Sequence, residues 1–196
     1  MNSLLDNFTH TVLDGELGSV RYFPDCVPSD LAREWFEALL REVPWTSYRR
    51  QMYDREVDVP RLIGTYDLDA PGLPPAIGAA RALVERISSH VYNHVGVNRY
   101  RDGNDSVAPH NDKLDGLVAG APIALLSLGS TRRFVMHTKR TPRRRLQLDL
   151  APGSLLLMSY ETQLHLDHGV PKTKAAVGER ISLAFRDRPS RSRAYP

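Results

Sequence analysis

Two stretches of the chain carry apolar residues at helical spacing, and its second half carries them in short alternating runs. Leu31, Trp35, Leu39 and Val43 fall on one face of a helix whose N-cap is Ser29 or Asp30, with Phe36 and Leu40 widening the face. Pro44 ends that helix. A second helix is predicted from about Pro75 to His94, burying Ile77, Ala80, Val84, Ile87 and Val91, with Gly96 as its left-handed terminator. Between the two, residues 45–75 hold Trp45, Tyr48, Tyr53, Tyr66 and four prolines, and read as extended or loop-like. Residues 1–28 read as irregular apart from a short strand at Ser19 to Phe23.

From Val97 the period shortens. Val97 to Tyr100 precedes a strong turn, Asp102-Gly103-Asn104-Asp105. Strands are predicted at Ile123 to Leu128, Arg133 to His137, Leu146 to Leu150, Ser154 to Ser159 and Arg180 to Arg186, with Pro152-Gly153 punctuating two of them. Short strands at this spacing suggest a β-sandwich or barrel, with the two helices packed outside a sheet. The predicted class is mainly β, loosely α+β.

Composition narrows the class. The 196 residues are 41% hydrophobic and 25% charged, which fits one compact domain and excludes collagen, disorder and a disulfide scaffold. Cys26 is the single cysteine, so no internal bridge forms and a reducing, cytoplasmic setting is expected. The opening MNSLLDNFTH lacks the basic and apolar regions of a secretory signal. The apolar stretch Leu117 to Leu128 is 12 residues long and broken by Pro122, too short to span a bilayer, and no membrane partner is expected.

The net charge is +3, but its distribution says more. Arg132, Arg133, Lys139, Arg140, Arg143, Arg144 and Arg145 occur with no acid between Ser130 and Leu148, and Arg186, Arg188, Arg191 and Arg193 cluster near the end. Such patches attract phosphates, or serve as solubilising loop and tail.

One constellation carries chemistry. In Pro109-His110-Asn111-Asp112, strand geometry turns His110 and Asp112 to one face. His168 lies far downstream, and two histidines with one carboxylate form the facial triad of non-haem Fe(II) oxygenases; zinc also accepts this donor set. His165 is a rival ligand, three residues before His168 and so on the opposite face of a strand. Alternation in Arg180-Ile181-Ser182-Leu183-Ala184-Phe185-Arg186 places both arginines and Ser182 on one face. Buried arginines need anions, and a dicarboxylate matches their forked geometry. Asn98 and Tyr100 share a face and offer an amide and a phenol to the same pocket.

Together these runs resemble the AlkB family of Fe(II)- and 2-oxoglutarate-dependent dioxygenases. The resemblance runs from Asn98-Arg99-Tyr100-Arg101-Asp102-Gly103 through His110-x-Asp112, Pro122 to Gly129, Arg132-Arg133-Phe134, Pro152 to Met158 and His168 to Arg180–Arg186. It covers residues 97–188, about half the chain. It implies a double-stranded β-helix (jelly roll) core at 97–188, N-terminal helices and a substrate-covering lid within 1–96, and a basic tail at 189–196 in one compact unit. It implies Fe(II) on His110, Asp112 and His168. It also implies 2-oxoglutarate held by Arg180, Tyr100, Asn98, Arg186 and Ser182, with dioxygen as oxidant.

The implied reaction is oxidative N-demethylation of alkylated DNA or RNA bases, releasing formaldehyde, succinate and CO2 from an expected monomer. Tyr53, Arg61 and Tyr66 of the lid, with Asp115 and Arg145, become the candidate substrate contacts. Base-repairing members commonly place an acidic residue two positions after the metal aspartate; here Leu114 stands there. Asp115 could take that role through a shifted loop. Otherwise the base preference differs, or the substrate is a protein or small molecule. A non-catalytic β-sandwich binding module is the alternative from another class.

Overall fold

Alternation of apolar residues on both faces of one sheet sets the architecture. The computed structural model describes residues 9–52 and 55–189, with side chains at 9–47 and 59–189. In chain order the elements are β1 (His10–Leu13), β2 (Val20–Phe23), α1 (Ser29–Glu42), β3 (Thr46–Met52), β4 (Arg55–Asp67), α2 (Pro75–Ser88), β5 (His94–Tyr100) and β6 (Val107–His110). After a 3-10 turn (Leu114–Gly116) come β7 (Ile123–Gly129), β8 (Arg132–Thr138), β9 (Arg145–Leu150), β10 (Leu155–Met158), α3 (Glu161–His165), β11 (Leu166–Val170) and β12 (Arg180–Arg186). Among the described residues the strands form an eight-stranded sheet, β1-β2-β10-β7-β12-β5-β4-β3, and a four-stranded sheet, β6-β11-β8-β9, with antiparallel pairing throughout.

The large sheet lies between two apolar layers. Leu126 and Leu128 of β7, Ile181, Leu183 and Phe185 of β12, and Val95 and Val97 of β5 pack with Trp35 and Leu39 of α1 and Ile77, Ala80 and Val84 of α2. The opposite face presents Ile123, Leu125, Tyr100 and Ala184 to Phe134, Met136 and Val170 of the small sheet. A strand buried on both faces reads as a continuous apolar run, which explains Ile123–Gly129. The facing sheets make a jelly roll with helices on its outer face.

The structure refines several local expectations. The second helix stops at Ser88, where Ser89 adopts the left-handed conformation at φ 55°, and Gly96 sits inside β5. Val91 is 66% exposed, because it lies in the connection between the helix and β5. The stretch 45–75, read as extended or loop-like, supplies β3 and β4, and the one proline within them, Pro60, falls at a break in register: Ser47 pairs Leu62 and Arg49 pairs Asp58. A division at residue 96 falls inside β5, and β1–β4 complete the large sheet. The first helix starts at Ser29 itself, with Pro28 as N-cap and no side-chain cap bond.

Candidate active site

The inward face of β12 is the floor of a cavity of about 330 Å3. Arg180, Ser182, Ala184 and Arg186 all line it, while Ile181, Leu183 and Phe185 point to the helices. Its small-sheet wall holds the histidines. His168 pairs directly with His110 across β11 and β6, with ring centroids 4.7 Å apart, and Phe134 stacks on His168 at 5.5 Å. Asp112 follows β6, its backbone N–H donating to Gln163 Oε1 at 3.0 Å. Its carboxylate accepts two bonds from Arg186, from Nε at 2.8 Å and from Nη2 at 3.0 Å.

His110, Asp112 and His168 thus line one cavity. Among the described residues no three His, Cys, Asp or Glu side chains converge at coordinating geometry, and the Asp112 carboxylate is engaged by Arg186. The donor chemistry nevertheless fits a ferrous ion: two imidazoles and a carboxylate. Burial, reinforced by His110, lowers the His168 pKa to about 3, so its imidazole is neutral, and its buried Nδ1 has no hydrogen-bond partner. His110 Nδ1 bonds the Ala108 carbonyl at 3.0 Å, which leaves Nε2 for another partner. Burial alone would raise the Asp112 pKa, but Arg186 outweighs it and the carboxyl is held below its ordinary range.

A second cluster fits a dicarboxylate. Arg180 is fully buried, donates from Nη2 to Ser127 Oγ at 2.9 Å, and leaves Nε and Nη1 with no partner. Burial lowers its pKa, a sign that the cation lacks a counter-charge. Tyr100 lies beside it, with the Arg180 Cζ 5.1 Å from the ring centroid. A buried guanidinium with two free nitrogens is costly unless an anion completes it.

The substrate candidates separate. Arg61 lines the cavity, but its Nε donates to Asn98 Oδ1 at 2.7 Å, joining β4 to β5. Tyr66 does not face the cavity: alternation along β4 sends it to the helix-side core, and Thr65 takes the cavity side, hydrogen-bonded to His94 Nε2 at 2.8 Å. Asp115 is exposed and lines a neighbouring recess with Lys113 and Arg188 rather than the cavity. Arg145 lines surface recesses near His137 and Arg144 on the small sheet. Tyr53 lies outside the described residues. His165 sits on α3 and does not line the cavity.

The basic run also divides. Arg132 is 2% exposed and donates to the carbonyls of Asp102, Asp105 and Pro171, so it staples turns and is unavailable to phosphates. Arg133 pairs with Asp149. Sequence reasoning missed Ser127, Gln163, Phe134, His94 and Arg188 as site residues. Strand alternation on β7 could have found Ser127; the others depend on which elements meet.

Residues 19–186 match the 2OG-Fe(II) oxygenase superfamily. Human DNA oxidative demethylase ALKBH2 is 35% identical over 178 residues, covering 79% of this chain and 68% of that protein. The chain belongs to the AlkB family. Bovine ALKBH2 is 33% identical over 177 residues, 79% of this chain and 64% of that protein. Mouse alpha-ketoglutarate-dependent dioxygenase alkB homolog 3 is 31% identical over 173 residues, 78% and 60%. The chain therefore spans about two thirds of the length of these AlkB relatives. Among solved structures, OsALKBH1 superposes with a TM-score of 0.60 at 16% identity, covering 86% of this chain and 97% of that one. A Pseudomonas putida prolyl-4-hydroxylase gives 0.59 at 16%, covering 88% and 94%. Both support the jelly-roll fold. The family is one of oxygenases that use Fe(II), 2-oxoglutarate and O2. No helix among the described residues is long and apolar enough to cross a membrane.

Proposed function

We propose that this chain removes N-methyl groups from alkylated bases of DNA or RNA, with Fe(II) held by His110, Asp112 and His168 and 2-oxoglutarate held by Arg180, Tyr100, Asn98, Ser182 and Arg186. The observation that carries the reading is the buried Arg180 guanidinium, two nitrogens free, lining the same cavity as both histidines. When bound, iron with its cosubstrate supplies the oxidation: N–CH3, O2 and 2-oxoglutarate become N–H, formaldehyde, succinate and CO2.

The protein supplies orientation and charge. Arg180 receives the distal carboxylate, oriented by Ser127 and Tyr100. Arg61 fixes the amide of Asn98, so β4 helps to shape the cosubstrate pocket. Arg186 fixes the Asp112 carboxylate, and Gln163 fixes its backbone. Phe134, Ile123, Leu125 and Met158 line the rest and exclude water. Arg143, Arg144 and Arg145 are available for phosphates beyond the cavity, while Lys139 is held by the Gln163 carbonyl at 2.6 Å.

A second reading keeps the chemistry and changes the substrate to a protein or small molecule. Leu114 favours it, because a leucine cannot accept a hydrogen bond from a base amine. The test is incubation with Fe(II), 2-oxoglutarate and methylated oligonucleotides. Formaldehyde release in step with succinate supports base demethylation; its absence across all methylated bases, with succinate still forming, favours the second reading.

A further inference from the structure

The cavity wall carries a strong excess of positive charge. Among the described residues, four guanidiniums line the cavity, from Arg61, Arg180, Arg186 and Arg188, against one carboxylate, Asp112. Both Asp112 oxygens are taken by Arg186. Asp115 lies in the neighbouring recess and the Leu114 side chain has no acceptor, so no carboxylate lining the cavity is free to receive a base amine. A ferrous dication and a 2-oxoglutarate dianion cancel each other and leave the wall positive.

Free donors are present instead. Arg188, two residues past Arg186, lines both the cavity and the recess beside Asp112. Its backbone is fixed to the Asn93 side chain, N–H to Oδ1 at 2.9 Å and C=O from Nδ2 at 2.7 Å, while no described group hydrogen-bonds its guanidinium. The Thr65–His94 pair lines the same cavity, and buried His94 Nδ1 has no partner. Burial, with Arg188 and Arg186 beside it, lowers the His94 pKa to about 4, so it adds no charge.

Alkylated bases divide by the same two properties. 1-Methyladenine and 3-methylcytosine are cations near neutral pH and present an amino group. 3-Methylthymine, 3-methyluracil and 1-methylguanine are neutral and present carbonyl oxygens beside the methylated nitrogen. A positive wall repels the first group, and a free guanidinium donates to the second. We propose that this enzyme prefers neutral, carbonyl-bearing alkylated bases, and that Arg188 is the donor that reads the carbonyl. This rests on the base-demethylation reading above and names its substrate class.

The experiment uses one single-stranded sequence carrying 3-methylthymine, 1-methylguanine, 1-methyladenine or 3-methylcytosine. It measures kcat/KM for formaldehyde release and, separately, the Kd of each strand for the metal-free protein. The neutral bases are expected to lead by about tenfold or more in both. Exposed Arg188 permits Arg188→Ala without loss of fold, and that variant should bring the ratio toward one. Leu114→Glu should move it toward the cationic bases. Equal or better turnover of the cationic bases, or a ratio unmoved by Arg188→Ala, overturns the selection and leaves the demethylase standing. Succinate without formaldehyde from any of the four overturns both.

Discussion

Arg186 grips both carboxylate oxygens of Asp112 across 74 residues of chain, Nε to Oδ2 at 2.8 Å and Nη2 to Oδ1 at 3.0 Å. Both side chains are less than one-fifth exposed, at 17% and 15%. The last strand therefore determines where the carboxylate proposed to hold the metal points. Arg186→Ala is expected to weaken Mn(II) binding at least tenfold and to destabilise the protein by on the order of 2 kcal/mol, because it leaves a largely buried carboxylate unpaired. Arg186→Lys, keeping charge without the fork, should fall between. Urea unfolding and metal titration read the two effects; unchanged metal affinity in Arg186→Ala contradicts the role.

Arg180 should separate stability from function. Replacing it by Met removes a buried charge whose Nε and Nη1 have no partner. Without ligand the variant is expected to match wild type or to gain about 1–3 kcal/mol. With Mn(II) and 2-oxoglutarate at a hundred times Kd, wild type should gain about 2.7 kcal/mol and the variant nothing from the cosubstrate. A variant that still shows the 2-oxoglutarate shift would remove Arg180 from the pocket.

Gly169 lies between the paired histidine and the next register position of β11. A Cβ there would meet the Val107 carbonyl oxygen at 2.6 Å and the Ala108 carbonyl carbon at 3.1 Å. Gly169→Ala should push β6 away and separate His110 from His168. Mn(II) affinity is expected to fall about tenfold with the circular dichroism spectrum retained. Gly116→Ala, which meets nothing within 4 Å, is the control and should bind normally.

The Asp105 carboxylate, 4% exposed, accepts from Arg101 N–H, Nε and Nη2 at 2.8–2.9 Å. Burial raises its pKa, but Arg101 and then Arg132 hold the net value below the ordinary 3.8. A carboxyl with a depressed folded pKa stabilises fully above its unfolded value, and that contribution is lost as pH falls through the folded one. Wild-type stability should therefore drop steeply below about pH 4. Asp105→Asn should be less stable at pH 7 and show a shallower acid limb; parallel limbs in urea unfolding at pH 7, 4.5 and 3 would exclude this contribution.

The β8–β9 loop arginines should be visible in salt dependence. Log affinity for an oligonucleotide is expected to fall linearly with log salt. Changing Arg143, Arg144 and Arg145 together to Ala should reduce that slope by about 0.7–0.9 for each phosphate the loop no longer neutralises. An unaltered slope places the loop away from the nucleic acid.

Local chemistry was written in the chain. The period-two pattern of Arg180–Arg186 separated cavity face from helix face, because a strand has only two faces and arginine and phenylalanine cannot share one cheaply. Asp112 lies past the end of β6, so its placement rests on Arg186 and Gln163 rather than on strand alternation from His110. Tertiary structure decided what distance in sequence conceals. It turned Tyr66 to the core and Thr65 to the cavity, buried Arg132 as a staple while leaving Arg188 free, and set Gly96 inside a strand. Each of these depends on which strand lies alongside, and pairing partners tens of residues away leave no mark on the local pattern of a single chain.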